Sequence, residues 1–249
     1  MNKYGLLGHK LGHSKSKVIH EYFFDTNNID ASYDLIEIEE YEILETLNLL
    51  KSNTYNGFNV TIPYKEMVIQ YLDELTDSAN EIGAVNTVYI KDDKLIGDNT
   101  DYLGFIEQLN VSGINVSNQD IYVLGGGGAS KAICYALKLL NANPIIVSRD
   151  KNKGITYDEL REIDSYFMLV NTTPVGMFPN IEDEILPRDV VANAKYCIDI
   201  ICNPKVTKFL EYSSCGYNGI YMLIFQAVHA ERLWGNNLKF DLEELLKKM

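Results

Sequence analysis

Short apolar runs with the two-residue period of a strand alternate with segments of helical period along most of the chain. Strands are predicted over residues 4–8, 33–38 and 57–61, and helices over residues 15–26 and 41–51, the latter with Ile43, Leu47 and Leu50 at helical spacing. Pro63 ends the third strand and opens a predicted helix over residues 64–71. Residues 85–90 and 94–97, separated by Lys91-Asp92-Asp93, read as a β-hairpin. Asn99 or Thr100 then caps a helix that runs to about Asn110. The polar, Gly/Asn/Ser-rich residues 111–120 read as a connection into a second domain. Beyond it, strands are predicted over residues 121–124, 144–148, 167–171 and 196–200, a helix over 223–234 and an amphipathic helix over 242–248. Such alternation predicts an α/β architecture with parallel or mostly parallel sheets.

The pattern is short at one place. After the strand ending at Ser148, only residues 149–154 precede the next extended candidate, Ile155-Thr156-Tyr157. A parallel crossover with its helix needs at least ~10–12 residues. Residues 149–166 hold a single crossover, with residues 158–163 as its short helix. One outer helix and strand are therefore expected to be missing or vestigial, leaving residues 144–148 at or near the sheet edge.

The 249 residues suffice for two ordinary domains or one large α/β unit. The net charge of -13, spread along the chain, argues against nucleic acid and against an anionic membrane surface, both of which attract basic patches. An anionic substrate must then be held by a local site working against the global field. Cys134, Cys197, Cys202 and Cys215 show no CxxC spacing and His is scarce, so neither a disulfide framework nor a zinc site is expected, in keeping with a reducing cytoplasm. No signal peptide or transmembrane segment is expected either.

Candidate chemistry begins at Leu124, where a buried strand runs directly into Gly125-Gly126-Gly127-Gly128-Ala129 and a helix. Glycines there permit a tight turn and close backbone approach to a pyrophosphate, which the helix N-terminus stabilises. A ligand-free strand-to-helix turn is the simpler alternative, but four consecutive glycines lose much conformational entropy on ordering. The next strand ends in Ser148-Arg149, where an NAD site usually places an acidic residue, so NADP is favoured. An ordinary surface Arg fits the position equally well, and Asp150 is an unwelcome charge beside a 2′-phosphate.

Four segments of the first half carry polar residues at strand ends, where open α/β folds build their sites. Ser14 and Ser16 meet a helix N-terminus, a place for a carboxylate, although N-capping alone explains one serine. Asn59 and Thr61 share one strand face. Lys65 falls in the first turn of the predicted helix, where the macrodipole would lower its pKa and suit it to proton donation; an isolated Lys is more often simply solvated. Asn86, within Gly83-Ala84-Val85-Asn86-Thr87, and Asp101, within Gly97-Asp98-Asn99-Thr100-Asp101, lie in motifs that turns and caps explain as well.

Taken in order, these segments resemble the shikimate dehydrogenase (shikimate/quinate dehydrogenase) family. The paired serines, Asn59-Val60-Thr61-Ile62-Pro63-Tyr64-Lys65, residues 83–87, residues 97–101, the glycine turn, Asn171-Thr172-Thr173-Pro174-Val175-Gly176-Met177 and Met222-Leu223-Ile224-Phe225-Gln226-Ala227 all match its pattern, over residues 4–234. The resemblance implies a substrate domain over residues 1–101, with residues 223–249 packing back onto it, and a Rossmann-like NADP-binding domain over residues 102–222. It implies reversible, NADP-dependent reduction of 3-dehydroshikimate to shikimate, in the aromatic amino-acid precursor pathway, by a cytoplasmic enzyme, monomer or homodimer. Carried over by position, Ser14 and Ser16 would hold the substrate carboxylate, and Asn59, Thr61, Asn86 and Gln226 the ring hydroxyls. Lys65 and Asp101 would be the catalytic pair. Gly125, Gly126, Gly127, Gly128, Ala129, Ser148, Arg149, Ile200 and Gly219 would hold the cofactor, and no metal is implied.

The chemistry agrees, because hydride delivery to a ketone builds negative charge on oxygen, which a positioned ammonium stabilises and protonates. The chain departs from the family at Lys10 and Lys17 (usually proline), Tyr102 and Tyr221 (glycine), Cys202 (tyrosine) and Ser148-Arg149-Asp150 (Asn-Arg-Thr). Rival readings are a quinate/shikimate dehydrogenase with dual or NAD preference and a non-catalytic shikimate-binding relative, against which the retention of Lys65 and Asp101 counts. A folate-type dehydrogenase of similar build lacks support from Ser14 and Ser16.

Overall fold

The N-terminal apolar run forms β1 (Asn2–Gly8), an interior strand of a six-stranded mixed sheet in the computed structural model, which describes residues 1–12 and 14–249. The chain continues through α1 (Ser16–Asn27), β2 (Ala31–Glu37), α2 (Ile43–Lys51), β3 (Gly57–Val60), β4 (Glu74–Leu75), α3 (Asp77–Ile82), β5 (Thr87–Lys91) and β6 (Lys94–Asp98). The strand order is β2-β1-β3-β5-β6-β4. β1 runs parallel to β2 and β3, β5 antiparallel to β3 and β6, and β4 parallel to β6. Alternation along β1 decides which face each residue serves. Tyr4 and Leu6 pack with Phe24 and Tyr33 on one side, whereas Leu7 joins Leu47, Phe58 and Val88 on the other. The hairpin turn Asp92-Asp93 takes positive φ at both positions (50° and 61°), the geometry that matches strand twist in a two-residue loop.

The helix expected over residues 64–71 does not form. Turns lead instead into a 3-10 stretch, Met67–Tyr71. The carbonyl of Lys65, which a helix would have used internally, accepts from Val85 N at 2.7 Å, and the hydroxyl of buried Tyr64 donates to Ile38 O at 2.5 Å. These tertiary bonds outweigh the helical period, and the macrodipole argument for Lys65 has no footing. α3 and β4 lie where no element was expected, although Thr76, which accepts from Ala79 N, and Gly83 at φ 68° bracket α3 with ordinary start and stop signals.

By its internal contacts the chain divides into two units, Met1–Thr100 with Gln226–Met249, and Asp101–Phe225. The second unit contains α4 (Asp101–Ser112), β7 (Asp120–Leu124), α5 (Gly128–Leu139), β8 (Asn143–Val147), α6 (Tyr157–Arg161), β9 (Tyr166–Asn171), α7 (Arg188–Ala192), β10 (Ala194–Asp199), α8 (Lys208–Tyr212) and β11 (Gly216–Asn218). Its five strands are all parallel, in the order β11-β10-β9-β7-β8. Residues 111–120, expected to connect two domains, lie inside this unit because Ile114 and Val116 are buried in its core with Ile121 and Val123. α9 (Ile220–Leu233) carries the chain back into the first unit, which α10 (Leu242–Lys248) completes.

β8 is the sheet edge, as the short 149–154 segment predicts. The outer strand is reduced to a single parallel bridge between Val147 and Ile155, with Ile155 N donating to Ile146 O and Ser148 N to Ile155 O, both at 2.9 Å. Gly154 permits this approach, since a Cβ there would stand 2.0 Å from Ile146 O. α6, started by a Thr156/Glu159 capping box, supplies the one crossover to β9. Among the described residues, no helix is long and apolar enough to cross a membrane.

Candidate functional site

In the first unit, the ends of β3 and β6 and the start of β5 bring the motif residues into one buried hydrogen-bonded cluster. Asn86 is its hub. Its Oδ1 accepts from Thr100 N (2.7 Å) and Thr87 Oγ1 (2.9 Å), and its Nδ2 donates to Thr100 Oγ1 (3.0 Å) and Gln226 Oε1 (3.3 Å). Backbone bonds lock the strands around it, with Val60 N donating to Asn86 O at 2.8 Å and Asn86 N to Asp98 O at 3.0 Å. Asn59 joins through Nδ2, which donates to Asn86 O and Thr87 Oγ1, each at 3.2 Å. Asn59, Asn86, Thr87, Thr100 and Gln226 are all buried. A cluster of amides and hydroxyls at strand ends is suited to reading the hydroxyls of a small polar molecule.

Thr61 follows β3 with its N–H on Leu7 O at 2.9 Å, so its backbone is fixed although its side chain is only half-buried. Lys65 is half-buried in the turn beyond it, held by its carbonyl bond to Val85. Asp101 is buried and opens α4 as the first residue of the second unit. Ser14 and Ser16 stand at the start of α1, where Ser16 N donates to Ser14 Oγ at 3.3 Å. The N-cap position is Lys15, whose side chain makes no capping bond, so neither serine is itself the N-cap. His13, which lies between Gly12 and Ser14 in the matched motif, is outside the described residues.

The second unit places the remaining candidates around the C-terminal ends of β7, β8 and β10. Gly125 has φ 112°, and a Cβ on it would lie 2.8 Å from Thr172 Oγ1, so the turn requires glycine. Gly127 is the N-cap of α5, makes no side-chain cap, and faces open space where a Cβ would be. Gly128, Ala129 and Ser130 follow in the first turn, whose backbone N–H groups have no partner within the helix. An uncapped helix start with room above it fits a pyrophosphate. Ile200 and Gly219 meet directly, since a Cβ on Gly219 would fall 2.5 Å from Ile200 O.

Beyond β8, Ser148 Oγ accepts from Asp150 N at 3.1 Å. The Asp150 carboxylate turns onto its own loop, accepting from both Asn152 N and Asn152 Nδ2 at 3.0 Å. The carboxylate is therefore turned onto its own loop, where it keeps its charge. The same loop folds Lys153 back over the glycine turn, with Nζ 3.5 Å from Gly126 O. Lys153 was not singled out in the sequence, where it is one of two lysines near Arg149; only the loop's return to β8 places it here.

Asp199, at the end of β10, is fully buried and was also not singled out. Burial pushes its carboxyl up to about 6, against the opposing pull of bonds from Thr207 Oγ1 (2.6 Å), Ile201 N (3.0 Å) and Asn171 Nδ2 (3.2 Å). It ties the 171–176 loop to the segment carrying Ile200. Among the described residues, no group of His, Cys, Asp and Glu side chains is placed to hold a metal.

The chain is similar to known proteins over its whole length. The family model described as the shikimate dehydrogenase substrate binding domain matches residues 6–88. The chain is 42% identical to the shikimate dehydrogenase (NADP(+)) of Clostridium perfringens, over 97% of this chain and 94% of that one. Two solved structures superpose along its whole length. The chorismate mutase/shikimate 5-dehydrogenase fusion protein of Clostridium acetobutylicum has TM-score 0.92 and 35% identity, and covers 100% of this chain and 96% of its own. The shikimate 5-dehydrogenase of Thermus thermophilus, in complex with NADP(H) and shikimate, has TM-score 0.90 and 28% identity, with 100% and 98% covered.

Proposed function

Because the chain belongs to the shikimate dehydrogenase family, we propose that it catalyses the reversible, NADP-dependent reduction of 3-dehydroshikimate to shikimate. The observation that carries the reading is the Asn59/Asn86/Thr87/Thr100/Gln226 cluster, a buried set of hydroxyl-reading groups in the unit that also carries Ser14 and Ser16. Ser14 and Ser16, at the start of α1, take the substrate carboxylate. Asn59, Thr61, Asn86 and Gln226 take the ring hydroxyls.

The glycine turn fits a dinucleotide. Gly125 makes the turn, Gly127 leaves space for the ligand, and the first-turn N–H groups of α5 face its pyrophosphate. Ser148, Arg149 and Lys153 hold the 2′-phosphate, and Ile200 and Gly219 the nicotinamide end. When bound, NADPH supplies the hydride that adds to the ketone carbon. Lys65 stabilises the charge that develops on the oxygen and donates the proton that completes the alcohol. Asp101 is the second member of the catalytic pair. In the reverse direction Lys65 takes the proton back.

The reading is tested by following nicotinamide absorbance with shikimate or quinate as substrate, each with NADP and with NAD. Turnover greatest with shikimate and NADP is expected. Greater turnover with quinate or NAD would replace it with the broader quinate/shikimate activity, and shikimate binding without any turnover would make the chain a non-catalytic relative.

A further inference from the structure

The proposed hydroxyl-reading cluster does not end at Asn59. Behind it, on the α1 side of the sheet, lies a chain of buried polar side chains that the reaction itself does not use. Tyr33 of β2 reaches over β1 and donates its hydroxyl to Asn59 Oδ1 at 2.7 Å. The phenol ring lies flat on the His20 imidazole, with centroids 4.0 Å apart and planes 5° from parallel. His20 Nδ1 is 2.5 Å from Glu231 Oε1, and Glu231 Oε2 accepts from Asn236 Nδ2 at 2.6 Å. Tyr33, His20 and Glu231 are all at 0% exposure. Burial and the Glu231 charge hold the Tyr33 hydroxyl well above the usual phenol range, so it stays a donor.

The bonds fix the orientation of the Asn59 amide. Asn86 O is an acceptor with no proton to offer, so the atom facing it must be Asn59 Nδ2. Both Nδ2 protons are then taken, by Asn86 O and Thr87 Oγ1. One lone pair of Oδ1 is taken by Tyr33. What Asn59 still offers is a single acceptor lone pair. A ligand hydroxyl at this position must donate, and a group that can only accept is rejected. The Tyr33 hydroxyl is not needed for packing, because a phenylalanine ring would fill the same stack.

We propose that Tyr33 is a positioning residue, which, together with Asn86 O, holds the Asn59 amide so that the site accepts a hydrogen bond from one ring hydroxyl of the substrate. His20 and Glu231 hold Tyr33 in that pose. The proposal rests on the shikimate reading given above, and goes beyond it in assigning a role to residues that do not touch the ligand.

The test is Tyr33→Phe, which keeps the ring and deletes only the donor. The KM for shikimate is expected to rise roughly fivefold to tenfold, the scale of one hydrogen bond, with kcat within about twofold and the KM for NADP unchanged. The deciding readout is discrimination against the two deoxyshikimates that lack one non-reacting ring hydroxyl. The wild-type enzyme should penalise one of them strongly, and Tyr33→Phe should shrink that penalty while leaving the other alone. In the background of Asn59→Ala, Tyr33→Phe should have no further effect on KM. Should Tyr33→Phe not fold, Glu231→Gln, which retains Tyr33 and every side-chain shape, is put through the same comparison. Wild-type turnover with discrimination unchanged in the variant would overturn the positioning role alone. Absence of shikimate turnover by the wild type would overturn the functional reading beneath it.

Discussion

Asp199 gives the second unit a pH-dependent stability whose sign and size follow from its surroundings. Its carboxyl is raised from 3.8 to about 6, chiefly by burial, while its three hydrogen-bond donors work the other way. In the unfolded chain the group returns to the ordinary carboxylate range. Between pH ~4 and ~6 the folded protein therefore binds more protons than the unfolded one, and stability falls as pH rises through this window. The contribution is complete below pH ~4 and lost above pH ~6. A difference of about two units at 1.36 kcal/mol each makes the loss about 3 kcal/mol.

Asn at this position reproduces the protonated acid, with an acceptor facing Ile201 N and Asn171 Nδ2 and a donor facing Thr207 Oγ1. Urea unfolding of the wild type and of Asp199→Asn, followed from pH 4 to pH 7.5, isolates this group from the other carboxylates. The two proteins should be nearly equal in stability at pH 4. Near pH 7 the variant should be the more stable by about 3 kcal/mol, with the difference growing between pH 4 and 6. A difference that stays constant with pH, or a variant that loses stability relative to the wild type as pH rises, would refute the reasoning.

Three predictions concern the site itself. Lys65→Met should lower kcat by ~10²–10⁴-fold and leave shikimate binding nearly intact, as measured by steady-state kinetics and calorimetry; a normal kcat with a raised KM would make Lys65 a binding residue. Ser14→Ala and Ser16→Ala should each weaken shikimate binding by about 1–3 kcal/mol, and unchanged affinity in the double variant would show that the serines do not hold the carboxylate. Arg149→Ala should raise the KM for NADP selectively, with Lys153→Ala acting in the same direction to a smaller extent. Equal losses for NAD in either variant would mean that the residue does not read the 2′-phosphate.

The motifs were legible because their physical requirements are local. A glycine turn between a strand and a helix needs neighbours in sequence only, and Gly125 at φ 112° meets that need within one loop. Asn59 on a strand, Asn86 at a strand start and the Asp92-Asp93 hairpin are likewise set by short-range period and turn chemistry, although the strand ends at Val60, one residue before Thr61. Even the absent outer strand was readable, because chain length limits what six residues can span. The 64–71 segment failed for the opposite reason. Its helical period was genuine, but bonds from Val85 and to Ile38, distant in sequence, claimed its backbone and its tyrosine.

Residues whose roles depend on long-range partners carried no signal. Tyr33 and His20 look like ordinary core aromatics, and Glu231 is one acid among 35 Asp and Glu in an acidic chain. Their meaning comes from bonds spanning 26 residues from Tyr33 to Asn59 and 211 from His20 to Glu231. Lys153 and Asp199 are similar, the first placed by a loop returning to a sheet edge, the second charged with meaning by burial. The sequence by itself determined the α/β class, the shortened sheet edge, the glycine turn and the polar motifs, since each follows from spacing and local backbone geometry. Only the tertiary structure decided which way the Asn59 amide faces, where the Asp150 carboxylate turns and which carboxylate is raised, because hydrogen-bond partners and desolvation are properties of the packed molecule.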